Sequence, residues 1–299
     1  MVGAVEGPRR PMTTVLITGA SGMLGRDLTA ACKDIDVRPM DRTELDITDP
    51  QQVGDAASGV DVVVNCAAYT QVDQAEEDID QAMATNALGP RILAEACRKT
   101  GARLIHLSTD YVFRGDATKP YPEHSPREPV SVYGKSKAAG EEAVIDAYAA
   151  GSVIIRTAWL YGEHGPSFPR TMLTAAATRA TLSVVDDQVG QPTWTKDLAR
   201  QIRLVIDHNI PSGIFHGTNS GHTSWWHFAR VIFETAGLDP ERILATTSAD
   251  FVRPAPRPAW SVLGHDAWAA AGLPAMRGWE EAFAEAFPEC FSNIVGGRP

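Results

Sequence analysis

Along the first half of the 299-residue chain, short apolar runs alternate with amphipathic stretches. Val15-Leu-Ile-Thr18 is a brief β-branched run bounded by glycine, the pattern of a buried strand. The segment Arg26-Asp-Leu-Thr-Ala-Ala-Cys32 predicts the helix that follows. Asp36–Met40 and Val60–Val64 read as the second and third strands, Ala102–Ser108 as the fourth and Val153–Arg156 as the fifth. The acidic run Asp73–Asp80 predicts a solvated helix face. Gln81–Cys97 predicts one long amphipathic helix, with Pro90 at a kink or first turn and Asn86 as a cap or kink. Tyr121–Val130 is rich in proline and charge and reads as a loop. This β/α rhythm predicts an α/β fold, a doubly wound parallel sheet.

Beyond Trp159 the rhythm breaks. Gly162–Pro169 carries glycine and proline without periodicity, as a mobile substrate loop would. Phe168–Arg179 predicts a helix, Leu182–Val185 a short strand and Ile214–His216 one more. The Trp225-Trp226 helix and the proline-rich stretch Arg253–Pro258 predict a smaller C-terminal lobe. The expected organisation is a dinucleotide-binding domain over 12–160 with later returns near 182–218. A substrate-binding lobe is expected from 161–181 and 219–299.

Candidate chemistry begins at the first strand. Gly19-Ala-Ser-Gly22-Met23-Leu24-Gly25 lies between a strand and a helix. In that setting glycines permit a tight turn and close approach of backbone to pyrophosphate, and the helix end presents free N–H groups to an anion. The second strand ends at Asp41-Arg42, near where an acidic group meets the adenosine ribose. Asp41 suits the hydroxyls of NAD and Arg42 the extra phosphate of NADP, so both NADH and NADPH stay open. The third strand ends in Asn65-Cys-Ala67-Ala68-Tyr69-Thr70, small residues that let a flat cofactor pass.

A second constellation lies at Tyr133-Gly-Lys-Ser-Lys137. Residues four apart share a helix face. A phenol ionises near pH 10, and a neighbouring ammonium favours its phenolate. Tyr133 and Lys137 together can move a proton to or from a carbonyl or alcohol, with Ser108 or Thr109 as the hydroxyl at the third corner.

Composition narrows the classes. Hydrophobic residues make up 44% and charged residues 21%, enough apolar content for a buried core. Net charge is −10 with no basic stretch, which disfavours a nucleic-acid surface. The four cysteines are scattered and read as core thiols of a reducing compartment. No apolar stretch approaches the ~18 residues of a membrane span. Residues 1–11 lack the apolar core of a signal peptide and are expected to be a disordered leader, so a cytoplasmic protein is expected. The histidines form no metal motif, and no GxSxG elbow supports hydrolase chemistry.

Five segments carry a resemblance: Thr18–Gly25, Leu107-Ser-Thr-Asp-Tyr-Val-Phe113, Val132–Lys137, Ile155-Arg-Thr-Ala-Trp-Leu-Tyr161 and Asp186-Asp-Gln-Val-Gly-Gln-Pro-Thr193. Together they resemble the extended short-chain dehydrogenases/reductases and, within them, the dTDP-4-dehydrorhamnose reductase family. The GxxGxxG spacing resembles the variant of the dinucleotide fingerprint used by the short-chain dehydrogenases/reductases at large. The resemblance implies hydride transfer from NADPH or NADH to C4 of a dTDP-sugar ketone, serving cell-surface polysaccharide synthesis. It makes Tyr133 the proton donor, Lys137 the residue that lowers its pKa and holds the nicotinamide ribose, and Thr109 the hydroxyl that orients the carbonyl. Asp110 and Trp159 match sugar-contacting positions, with Tyr133 also facing the sugar. Asp46-Ile47 is similar to a segment that contacts adenine, and Asn86 to an asparagine that orders a relay water. Some members hold Mg²⁺ between subunits through a glutamate where this chain has Asp27, so no metal is expected and a homodimer stays open. The rivals are another nucleotide-sugar epimerase or dehydratase and a non-catalytic regulatory subunit of methionine adenosyltransferase. The dehydratases' glutamate after Thr-Asp is Tyr111 here, which disfavours dehydration.

Overall fold

Six parallel strands form the central sheet of the computed structural model, which describes residues 13–208 and 210–295. The leader expected over 1–11 lies outside the described residues. The strands are β1 (Thr14–Thr18), β2 (Asp36–Met40), β3 (Val62–Asn65), β4 (Arg103–Thr109) and β5 (Ser152–Thr157), with Gly213–His216 as the sixth. Their order across the sheet is Gly213–His216, β5, β4, β3, β1, β2. The chain runs from β1 outward to β2, then crosses back to pair β3 on the other side of β1. The reversal opens a crevice at the carboxyl ends of β1 and β3, the place where open α/β sheets bind ligands. β3 and β5 are buried at every position, as a sheet covered by helices on both faces requires.

Two apolar clusters flank this sheet. One joins Val15, Ile17, Val64 and Ile155 to Leu28 of the first helix, α1 (Met23–Ala31), and to Leu198 and Ile202 of the helix Thr195–His208. The other joins Leu16, Val63 and Leu104 to Ile92, Leu93 and Val144 on the opposite face.

A third cluster builds the smaller lobe around Tyr161, Trp194, Phe228, Phe233 and Phe283. Leu182–Val185, expected to return to the large sheet, belongs here. It pairs in parallel with Ile243–Thr246 and buries Leu182 and Val184 among those aromatic side chains. The edge beside β5 is already taken by Gly213–His216. The return to the large sheet therefore begins at Thr195.

The predicted long helix over 81–97 is divided. Ile79–Met83 and Gly89–Thr100 are α-helical, and Ala84–Leu88 between them is a π-helical turn, with Pro90 in the first turn of the second segment. A π-turn inside an α-helix frequently marks a functional site. Among the described residues no helix is long and apolar enough to cross a membrane.

Candidate active site

The crevice opens into a cavity of about 1520 Å³, above the ~300–1,000 Å³ usual for one small ligand. A buried polar ladder joins the ends of β1 and β3 to the middle of β4. Thr18 Oγ donates to Asn65 Oδ1 (2.7 Å), and Asn65 Nδ2 lies 3.1 Å from His106 Nδ1. Asn65 Oδ1 also accepts from Ala67 N (3.1 Å), which fixes the turn that leaves β3. His106 is fully buried, and burial pulls its imidazole far below the ordinary histidine range, so it is neutral.

The glycine loop is shaped by close approach. Gly19 has φ +66°, and a Cβ there would meet Ala67 N at 2.7 Å. A Cβ on Gly25 would meet Gly19 O at 2.4 Å. The helix starts inside the loop, at Met23, so Met23, Leu24 and Gly25 form its first turn at the cavity wall. These features fit a dinucleotide pyrophosphate: a cradle that a side chain would fill, and free N–H groups at a helix start.

The residues expected around the cofactor mostly line this cavity: Gly19, Gly22, Met23, Leu24, Gly25, Arg42, Asp46, Ile47, Ala67, Ala68, Tyr69 and Thr70. Asp41 does not. Its Oδ1 accepts from Thr43 N (2.8 Å) and Thr43 Oγ (2.7 Å), and those bonds hold its carboxyl below the usual range. The carboxylate that suits a ribose closes its own turn instead, while Arg42 lines the cavity.

Tyr133 and Lys137 sit one turn apart near the start of the helix Val132–Tyr148, which Ser131 caps by accepting from Gly134 N (3.1 Å). Both line the cavity with Thr109, Asp110 and Trp159. The electrostatics differ from the expected pair. Lys137 is buried and donates from Nζ to Leu107 O at 2.6 Å, and burial lowers its ammonium to about 8. Burial also pushes the Tyr133 phenol up to about 12, partly opposed by hydrogen bonding with Thr109. The lysine Nζ is anchored on the β4 backbone, and burial dominates the environment of the phenol.

Ser108 also lines the cavity, but its hydroxyl is already engaged. Its Oγ donates to Glu141 Oε1 at 2.6 Å, and Glu141 also receives Arg156. Thr109 is the available hydroxyl at the strand end. Asn86, in the π-turn, has its whole amide engaged: Oδ1 accepts from Tyr69 N, and Nδ2 donates to Tyr69 O and Ser136 Oγ. It ties the wall after β3 to the helix carrying Tyr133.

Trp159 has an unusual backbone, at φ +47°, and its ring stacks on Trp225 with centroids 3.4 Å apart and planes 9° from parallel. The segment after Leu182–Val185 supports it: Thr193 N donates to Trp159 O, and Gly190 leaves room for the indole. Gln191 binds the backbone of Leu263 through both ends of its amide.

Several lining residues carried no signal in the sequence. Arg170 reaches the cavity from the smaller lobe, held by Glu163 O (2.9 Å) and Cys290 O (3.4 Å). Tyr111 lies edge-on to Tyr133 at 5.5 Å, under the Arg257 guanidinium. Only folding brings these distant positions together. Asp27 accepts a hydrogen bond from Thr195 Oγ, and burial raises its carboxyl. Among the described residues no three His, Cys, Asp or Glu side chains are grouped to hold a metal.

Comparison with known proteins follows the same lines. The family model described as the RmlD substrate binding domain matches residues 12–291. The chain is 50% identical over 279 residues to a probable dTDP-4,6-dihydroxy-2-methyloxan-3-one 4-ketoreductase of Streptomyces antibioticus, covering 92% of this chain and 94% of the relative. It is 47% identical over 297 residues to a dTDP-4-dehydrorhamnose reductase of Streptomyces griseus, covering 97% of each. A solved structure of dTDP-4-dehydrorhamnose reductase from Bacillus anthracis, in complex with NADP, superposes with a TM-score of 0.89 at 38% identity. It covers 93% of this chain and all of that one.

Proposed function

The chain belongs to the family described as the RmlD substrate binding domain, and from that premise we propose that it reduces the C4 ketone of a dTDP-4-keto-6-deoxy sugar. The first substrate is dTDP-4-dehydro-L-rhamnose, giving dTDP-L-rhamnose for cell-surface polysaccharides. The observation that carries this reading is convergence: Thr109, Tyr133 and Lys137 open onto the same cavity as the glycine cradle. A reduced nicotinamide, when bound, supplies the hydride. Arg42 on the cavity wall, with Asp41 turned into its own loop, favours NADPH over NADH.

The chain's own residues handle the proton. A phenol held at about 12 stays protonated near neutral pH, as a general acid must. Tyr133 gives its proton to the oxygen that gains charge as the ketone is reduced. Thr109 hydrogen-bonds the same oxygen and orients it. Lys137 places a positive charge behind the phenolate that remains. Proton transfer of this kind contributes roughly 10²–10⁴ in rate. Asp110 and Trp159 border the sugar.

A sister substrate also has support, because the Streptomyces antibioticus relative is described as a 4-ketoreductase of a different dTDP-sugar. Dehydration lacks support, since Tyr111 stands where the dehydratases carry glutamate. The decisive experiment follows oxidation of NADPH and NADH with dTDP-4-dehydro-L-rhamnose and with its UDP counterpart, for wild type and Tyr133→Phe. Turnover that requires the dTDP-sugar and falls about 10²-fold or more in the variant supports the reading. Absence of oxidation with either sugar, in protein that binds NADPH, overturns it.

A further inference from the structure

The Thr109 hydroxyl has one hydrogen and more than one neighbour competing for it. Its Oγ accepts from Tyr111 N (3.3 Å), lies 2.9 Å from Asp110 Oδ1, and faces the Tyr133 phenol. A hydroxyl offers one donor and two acceptor sites. An ionised carboxylate can only accept, so it takes the Thr109 hydrogen and leaves none for a substrate carbonyl. A protonated carboxyl donates instead. Thr109 Oγ then accepts from both Tyr111 N–H and Asp110 O–H, and its own hydrogen is released toward the cavity.

We infer that Asp110 is a positioning residue whose protonation decides whether the Thr109 hydrogen faces the substrate carbonyl. The inference rests on the ketoreductase reading above. The surroundings of Asp110 favour its neutral form. It is 2% exposed, and Oδ2 makes no hydrogen bond. Among the described residues no cation lies within ion-pair distance of it. Arg257, over the Tyr111 ring, is paired with Asp73 (2.9 Å), and Lys137 Nζ is spent on Leu107 O. Hydrogen bonding with the Ser261 and Thr109 hydroxyls and with the Asp110 and Tyr111 backbone opposes burial without cancelling it, and Tyr111 and Tyr133 complete the groups that face the carboxyl. A buried acid with an unpartnered oxygen is cheaper neutral than charged. Its carboxyl accordingly stands at about 6, raised chiefly by burial.

The sign follows. The competent form is protonated, so wild-type kcat/KM declines on the alkaline side, about tenfold per pH unit once past the limb. Asp110→Asn replaces the O–H donor with a permanent N–H donor. The expected result is a variant whose kcat/KM, lowered at every pH because Asp110 also borders the sugar, no longer shows the Asp110 limb between about pH 5 and about pH 8. A variant that retains the wild-type limb overturns the inference. Infrared titration of the carboxyl stretch, read as wild type minus Asp110→Asn, provides a readout independent of turnover. A protonated Asp110 at pH 5 that ionises with the kinetic limb supports the inference, and ionisation complete below pH 4 overturns it. Failure of the function reading is distinct, because wild type would then oxidise no NADPH with either sugar.

Discussion

Arg156 and Glu141 meet side-on beneath Thr109 and the Tyr133 helix: Nε donates to Oε1 at 2.8 Å and a terminal nitrogen donates to Oε2 at 2.7 Å. Both side chains are buried, at 1% and 0% exposure. Glu141 also receives Ser108 Oγ, so the pair grips the end of β4 one residue before Thr109. It joins that strand to β5 and to the helix bearing Tyr133 and Lys137. Removing Arg156 leaves the buried Glu141 carboxylate with only Arg127 as an ion-pair partner among the described residues, 3.3 Å from Oε2. Arg156→Met is expected to cost about 3–5 kcal/mol in urea unfolding, and Arg156→Met with Glu141→Gln to recover part of it. A loss of under about 1 kcal/mol would mean that the pair adds little.

Gly19 combines a positive φ with a close approach of backbone. Its positive φ costs a side chain about 1–2 kcal/mol, and the added Cβ would press on the backbone of Ala67 at 2.7 Å. Gly19→Ala is expected to weaken NADPH binding at least about tenfold and to lower the melting temperature. Calorimetric titration with NADPH checks it. Unchanged affinity would show that the loop relaxes and that the close approach is not required.

The Trp159–Trp225 stack predicts a binding defect without a chemical one. Trp159 lines the cavity and Trp225 lies behind it. Aromatic pairs contribute about 0.5–1.5 kcal/mol beyond area burial, so Trp225→Ala is expected to raise KM for the sugar nucleotide about two- to ten-fold. The value of kcat should stay within about twofold, since Tyr133 and Thr109 lie on other elements. A fall in kcat with KM unchanged would count against a positioning role for the stack.

Asp110 makes the fold itself pH-dependent. Its folded-state value, about 6, is raised above the ordinary 3.8. The unfolded chain therefore ionises first as pH rises. The contribution of Asp110 to stability is full below about 3.8 and is lost progressively as pH rises through about 6. A shift of about two units corresponds to at most about 3 kcal/mol. Asp110→Asn is expected to gain stability relative to wild type by up to that amount between about pH 4 and about pH 7, measured by urea midpoints. A difference independent of pH would place the carboxyl at an ordinary value.

Local spacing made the main machinery readable in the chain. Gly19, Gly22 and Gly25 follow a β-branched run, and Tyr133 and Lys137 are one helical turn apart, so short-range geometry already sets what each group can do. The βα alternation likewise announced the parallel sheet, because period and strand length are properties of contiguous residues. Other features depended on contacts between distant segments. Asp41 and Arg42 are neighbours with equal claims in sequence, and only the turn closed by Thr43 removes Asp41 from the cavity. Leu182–Val185 has the composition of any short buried strand, and which sheet it joins depends on an edge filled by residues some thirty positions later. Lys137 lies at the right spacing from Tyr133, yet its ammonium answers to the Leu107 carbonyl and to burial. The sequence by itself determined the fold class, and its spacing singled out the glycine loop, Tyr133 and Lys137 as candidates. Tertiary structure alone decided which side chains are already engaged, which lie buried without a partner, and hence which charges those groups carry, because desolvation and hydrogen-bond competition exist only once the distant elements have packed.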